Sequence, residues 1–447
     1  MRVLMVSWEY PPVMVGGLGR HVHALAEAMA RSGHAVTVLT RHGDGAAYDE
    51  VRGGVRIVRV PEDPPLFEFS TDLLSWTMAF NHALTRAGLA IVENDPPDVI
   101  HAHDWLVAHT ATTLKHHLGV PLVATVHATE AGRHQGWLPE PMNRSIHSIE
   151  WWLTYEARRV IACSEYMRWE VTRLFDLPPD KVDVVPNGID TGSWKVDPRR
   201  ADLVRQRLAG SGARSRRDPA GTSDPAGTSD PGRPDGQDGP VLVYAGRLVY
   251  EKGIHDLLRA MPRLRRRHPG IRLVIAGTGP YDEALRDQAR RLRLGRSVRF
   301  AGFITDTDLV ALTTAADCVV VPSIYEPFGM VALEAAAAGT PLVVADVGGL
   351  REFVYPERTG LRFAPGDAAG LADAVSSILS DQVLARRLTR QARELLNRDY
   401  SWARIANLTA QTYERAGREE RILQAGMAGR NQPRLVVRDG NLLTGSP

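Results

Sequence analysis

The residues best suited to chemistry lie in one stretch, SIYEPFGMVALEAAAAGTPLVVAD at 323–346. Glu326 stands in the loop expected after the apolar run CVVVP, Gly329 opens an alanine-rich helical run, and Glu334 sits further along that helix. A glycine at a helix start exposes backbone N–H groups to an anion, and carboxylates on either side grip hydroxyls. Sugar hydroxyls, a phosphate and ribose hydroxyls would all be served by this one segment. A second group is YAGRLVYEKG at 244–253, where Arg247 and Lys252 share a short loop at a strand end. Two cations there suit a diphosphate, whose charge grows as a sugar leaves it. The plain alternative is a solvated charged loop. Only four of the 54 basic residues are lysines (115, 181, 195 and 252), which turns attention to the one in this loop.

A third group is EYPPVMVGGLGRH, where Gly16, Gly17 and Gly19 lie between the first strand and an apolar-periodic helix beginning near Leu18. The spacing is not G-x-G-x-x-G and no acidic residue follows the second strand at the ribose position. A tight turn and a phosphate cradle therefore stand as equal readings. HAHDW at 101–105 and TVH at 125–127 end two further apolar runs. H-x-H-D is a weak ligand pattern, so no metal is expected, and His127 taken alone reads as a strand end. Asp104 and Trp105 are expected to shape an acceptor side or to cap the next helix. Asn187 and Gly188 read equally as a turn.

Those residues need elements to hold them. Short β-branched runs at 2–7, 35–40, 55–60, 98–102, 121–127, 159–164 and 182–186 alternate with amphipathic stretches, and the pattern resumes at 241–246, 271–277, 298–302, 318–322, 341–346 and 361–365. Strands alternating with helices predict parallel sheets covered on both faces, here two Rossmann-like doubly wound α/β domains facing a cleft. The first spans 1–208 and the second 241–400. Between them, 209–240 is rich in Gly, Ser, Asp, Pro and Arg, carries a tandem DPAGTS at 218–229, and reads as a disordered insertion. Residues 401–427 read as a helix packing back on the first domain, and 428–447 as a polar, flexible tail without strand or helix period.

Composition narrows the function classes. The 447 residues exceed one ordinary core, and 44% hydrophobic with 24% charged residues describe a globular chain. A formal net charge of +2 asks for no nucleic-acid partner. Cys163 and Cys318 lie inside apolar runs, as buried thiols in a reducing compartment do. No run approaches a membrane span, and a cytoplasmic location is expected. Arginine clusters at 199–217 and 263–267 read as solvated faces ahead of a peripheral contact with an anionic membrane.

Taken together, the E-x7-E pair Glu326/Glu334, GGLG at 16–19, HAHDW, TVH, PNGID at 186–190 and GRLVYEKG at 246–253 resemble family 4 of the retaining glycosyltransferases, which have the GT-B fold. The likeness covers nearly the whole chain except 209–240 and the tail. It is nearest to the glycogen- and starch-synthase branch, and most of all to actinobacterial α-(1→4)-glucan glucosyltransferases. By that resemblance Arg247 and Lys252 neutralise the donor phosphates and Glu326 holds donor-sugar hydroxyls, with the backbone N–H groups of Phe328, Gly329 and Met330 close by. Glu334 binds ribose, Gly16 and Gly17 approach the leaving phosphate, and His127 sits at the anomeric centre.

The implied reaction is metal-free transfer of a hexose, glucose first, from a nucleotide-diphosphate sugar to a glucan or oligosaccharide hydroxyl. Many bacterial glycogen synthases carry a lysine before the paired glycines, where this sequence has Met14 and Val15, so ADP-glucose, UDP-glucose and other donors all stay open. The rival readings are a lipid-acceptor mannosyltransferase of phosphoinositide type and a sugar-nucleotide sensor without turnover.

Overall fold

The computed structural model describes all residues except 15, 44–45, 62–65, 70, 211–238, 429–434, 439–440 and 445–447. Most of the proposed insertion, Val15 and parts of the tail therefore lie outside the described residues. The first domain holds an eight-stranded sheet of β1 (Arg2–Val6), β2 (Ala35–Arg41), β3 (Asp49–Arg52), β4 (Val55–Val60), β5 (Val99–His103), β6 (Leu122–Val126), β7 (Arg159–Ala162) and β8 (Val182–Val184). Their order across the sheet is β3-β4-β2-β1-β5-β6-β7-β8. The second domain holds β9 (Val241–Ala245), β10 (Arg272–Ala276), β11 (Val298–Gly302), β12 (Cys318–Val321), β13 (Leu342–Ala345) and β14 (Leu361–Phe363), ordered β11-β10-β9-β12-β13-β14. Every pairing in both sheets is parallel except β3 with β4. This is the two-domain α/β architecture that the alternation of runs implies.

The buried strands read as continuous apolar runs because helices cover both faces, as with CVVV in β12 and LVATV in β6, where every residue is buried. The strand absent from the sequence reading is β3, DEVR, at the sheet edge and almost wholly exposed. Its antiparallel pairing with β4 is backed by ion pairs from Arg56 to Asp49 at 2.8 Å and from Arg59 to Glu50 at 2.6 Å. In the C-terminal stretch expected to lack strands, Leu435–Arg438 pairs antiparallel with Asn441–Thr444, which corrects that expectation.

The strand orders point to a candidate site. In each sheet the chain winds one way from its first strand and then returns to build the other half, so the order reverses between β1 and β5 and between β9 and β12. Loops at the carboxyl ends of such strands diverge and leave a crevice. The four loops in question carry Gly16 and Gly17, Asp104, Arg247 with Lys252, and Glu326.

The long helix Trp402–Ala428 closes the chain against the first domain. Its Ile405, Ala406, Tyr413 and Ala416 are buried with Val3, Met5, Val22 and Val36 in one core. Arg158 and Arg159 meet Glu420 and Glu419 at 2.8 and 3.0 Å. A second set of contacts ties the domains together beside the crevice. The Ser164 hydroxyl donates to the Pro327 carbonyl at 2.6 Å, and the Glu352 carboxylate accepts from the N–H groups of Glu165 and Tyr166 at 3.0 and 2.9 Å.

Candidate active site

On the second-domain side, Lys252 and Glu326 meet directly, Nζ to Oε2 at 2.8 Å, and the Ser323 hydroxyl donates to the same oxygen at 2.9 Å. The two residues assigned separately to phosphate and sugar are thus partners of each other. Two glycines make the approach of their loops feasible. A side chain on Gly253, at φ +65°, would lie 1.9 Å from the Pro322 carbonyl oxygen, and one on Gly329, at φ +104°, would lie 2.4 Å from Leu350. Only glycine takes those angles at no cost with a neighbour that close. Gly329 starts the helix Met330–Ala338, with Phe328 buried just before it and Met330 half-buried. Arg247 stays outside this pairing, 53% exposed at its side chain and 3.9 Å from Glu251.

Glu334, on the same helix, is nearly enclosed, and burial pushes its carboxyl up to about 7 against the opposing pull of Arg20. Arg20 lies on the first-domain helix Gly17–Arg31, its guanidinium 3.7 Å from Glu334 and also paired with Asp306. This bridge brings the first turn of that helix against the second domain. The pair and the raised pKa point opposite ways, and burial outweighs the single 3.7 Å contact. At the start of the helix, side chains added to Gly16 or Gly17 would meet nothing within 4 Å. Gly16 N–H is already held by the Glu9 carboxylate at 3.0 Å, which fixes the loop around that open space.

On the first-domain side, β5 and β6 are neighbours, so their ends bring Asp104 and His127 together. The Asp104 carboxylate accepts from His127 N–H at 2.8 Å and makes no side-chain bond to cap the following helix. Asp104 itself takes φ +61°, a left-handed angle that costs a non-glycine residue and that the His127 bond helps to hold. Burial raises the Asp104 carboxyl to about 6, partly offset by that bond and by Arg133. Trp105, half-buried, packs against the core.

Behind His127 lies a group that sequence reasoning did not assemble. His21, from helix Gly17–Arg31, and His103, from β5, bring ring nitrogens within 4.8 Å of one another and of His127. His103 Nδ1 and His127 Nε2 are 3.3 Å apart and share a hydrogen bond, while His101 on β5 bonds Tyr413 and Thr125 at 2.7 Å each. Burial lowers all four imidazoles below their usual value, His127 to about 4, so they are neutral near pH 7. HAHDW and TVH placed three of them in view. The register of β1, β5 and β6 and the return of the C-terminal helix supply the rest. Arg20 was missed as well, one arginine among many, although its place directly after GGLG was the available signal.

Two family models match this chain: Glycosyltransferase Family 4 over residues 15–193 and Glycosyl transferases group 1 over 230–395. A Mycobacterium tuberculosis protein named glycogen synthase is 46% identical, with 98% of each chain covered. The chain belongs to glycosyltransferase family 4. It is a glycosyltransferase, and the two model matches fall one on each domain. Among solved structures it is similar to a sucrose-phosphate synthase from Thermosynechococcus elongatus, TM-score 0.74 and 25% identity, with 95% of this chain and 99% of that one covered. It also shares the fold of the catalytic domain of starch synthase IV from Arabidopsis thaliana, TM-score 0.70 and 20% identity, over 93% and 99%. Among the described residues no helix is long and apolar enough to cross a membrane.

Proposed function

We propose that this family member transfers a glucosyl group from a nucleotide-diphosphate glucose to the 4-hydroxyl of an α-glucan or maltooligosaccharide, with retention at the anomeric carbon and without a metal. The observation that carries the reading is the Lys252–Glu326 pair at 2.8 Å, set at the ends of the two strands where the second sheet reverses. A diphosphate arriving there draws on Lys252 and Arg247, and Glu326 is left to hold sugar hydroxyls. The departing phosphate gains charge as the sugar leaves, and cations already in place stabilise that gain without reorganisation. Gly16 and Gly17 leave room for the phosphate to approach the helix N-terminus. Glu334 takes the ribose, with Arg20 closing over it.

The choice of glucose and of a glucan acceptor is supported by the 46% identical relative named glycogen synthase. The test is to incubate the purified protein with UDP-glucose, ADP-glucose and GDP-mannose, each with maltotriose or maltohexaose, and to resolve the products by chain length. Elongation by single glucose units from one glucosyl donor supports the reading. Transfer from GDP-mannose alone, or donor binding without any transfer or hydrolysis, would replace it with the mannosyltransferase or the sensor.

A further inference from the structure

We propose that Trp151 and Tyr155 form a second glucan-holding site, remote from the crevice, on which glucose rings of a long acceptor chain stack. The inference rests on the reading of the acceptor as an α-glucan and names a further place where that chain is held. The two side chains stand one turn apart on the helix Pro141–Glu156, 45% and 63% exposed. Their rings are near-parallel, 19° between planes and 5.4 Å between centroids, in the offset stacking that aromatic pairs favour. Single exposed hydrophobic residues are ordinary. Two parallel rings held open to water on one helical turn form a flat apolar platform.

The end of this helix is pinned. Lys181 Nζ donates to the Tyr155 carbonyl at 2.9 Å and lies 6.0 Å over the Tyr155 ring. Lys115 Nζ donates to the carbonyl and the carboxylate of Glu156 at 2.9 and 2.8 Å, and His116 Nε2 is 2.9 Å from the same carboxylate. Such donors satisfy the last carbonyls that a helix end leaves unpaired. Two of the four lysines in the chain therefore serve the turn that carries the aromatic pair. A platform whose backbone is already fixed loses little freedom when a ligand settles on it.

Its place in the fold separates it from the site in the crevice. The helix leads into β7, Lys181 directly precedes β8, and Lys115 and His116 lie near the end of the helix Ala108–Leu118 that leads into β6. The platform is thus at the amino ends of strands whose carboxyl ends lie on the side of the crevice. A strand of five residues is about 17 Å long, more than a maltotriose spans and well within a long glucan.

The size and charge of the patch select the occupant. At about 150–250 Å² for each aromatic side chain, the open fractions leave roughly 160–270 Å². A stable protein interface takes about 800 Å² from each partner, so the patch suits one or two sugar rings and not a second copy of the chain. Lys115 and Glu156 neutralise each other at 2.8 Å, which suits an uncharged ligand. The C–H bonds on one side of a glucose ring make an apolar face that the negative face of an aromatic ring attracts, and the hydroxyls at the ring edge stay in water.

The experiment reads binding without turnover. The full-length protein, without donor, is run in native gels containing glycogen, as wild type, as the double variant Trp151→Ala/Tyr155→Ala and as the double variant Trp151→Phe/Tyr155→Phe. The wild type and the phenylalanine variant are expected to be retarded, and the alanine variant several-fold less. Equal retardation of wild type and alanine variant, or none of the wild type, overturns the proposal whether or not the protein transfers glucose. Oxidative footprinting of the wild type provides an arm without variants, in which maltoheptaose should protect Trp151 and Tyr155 several-fold, and no protection overturns it. If the chain elongates glucans, the alanine variant should raise KM for glycogen on the order of tenfold, as losing a second point of attachment does, with kcat and the KM for maltotriose unchanged. An equal rise for maltotriose would place the pair in the crevice and overturn the remote site. A wild-type dimer that the alanine variant dissolves in sedimentation velocity would assign the platform to a second copy and also overturn it.

Discussion

Acidification is expected to destabilise the protein through the buried histidines, and His127 gives the size of the effect. Its folded pKa is held down to about 4 by burial, against 6.5 for an ordinary imidazole. A depressed histidine contributes stability that is full above the unfolded value and is lost as pH falls from 6.5 toward 4, because the unfolded chain takes up a proton that the folded one refuses. Between pH 7 and pH 5 that difference comes to about 2 kcal/mol for this one residue, at 1.36 kcal/mol per unit of proton linkage. His21, His101 and His103 act in the same direction. Glu334 and Asp104, whose carboxyls are raised, act in the opposite one, so the raw pH profile mixes signs. The His127 contribution is isolated by difference. Urea unfolding followed by tryptophan fluorescence, at pH 7 and pH 5, should show His127→Gln losing about 2 kcal/mol less than the wild type. An equal loss in both proteins would refute the reasoning.

The further outcomes concern the second-domain side of the site and the absence of a metal requirement. Lys252→Ala should lower kcat at saturating donor by on the order of a hundred- to a thousandfold, as deleting a preorganised charge-stabilising group does. Because Lys252 also holds Glu326, the double variant with Glu326→Gln should fall short of the product of the two single losses, and strict additivity in steady-state kinetics would deny the coupling. Glu334→Gln should chiefly raise donor KM, whereas Glu326→Gln should chiefly lower kcat, and interchangeable kinetics would mean the two roles are misassigned. Chelators should leave the rate unchanged, which a loss of activity restored by magnesium would contradict.

Much of the fold was legible because the chain spells its strands as short runs rich in β-branched residues, and each such run contains a strand. The edge strand β3 was not, since DEVR is mostly exposed and its pairing depends on β4 across a turn. The placement of the second-domain candidates was legible for a similar reason, in that Arg247, Lys252, Glu326 and Gly329 sit on loops or a helix start marked by local sequence, with Glu334 further along that helix. What no local signal conveys is who touches whom. The Lys252–Glu326 bond joins residues 74 apart, and the Arg20–Glu334 bridge joins the two domains. The four-histidine group needed strand order as well. His101, His103 and His127 become neighbours because β5 lies beside β6, and Tyr413 reaches His101 only because the C-terminal helix returns to the first domain.

The most direct test of the central claim is the anomeric configuration of the first product formed from a nucleotide-diphosphate α-glucose and maltotriose, followed by proton NMR during the early turnovers. The account expects a new α-(1→4)-linked glucose, no β-anomer, and loss of the signal when Lys252 is replaced by alanine. A β-linked product, or an α-linked product formed just as fast by folded Lys252→Ala, would contradict it.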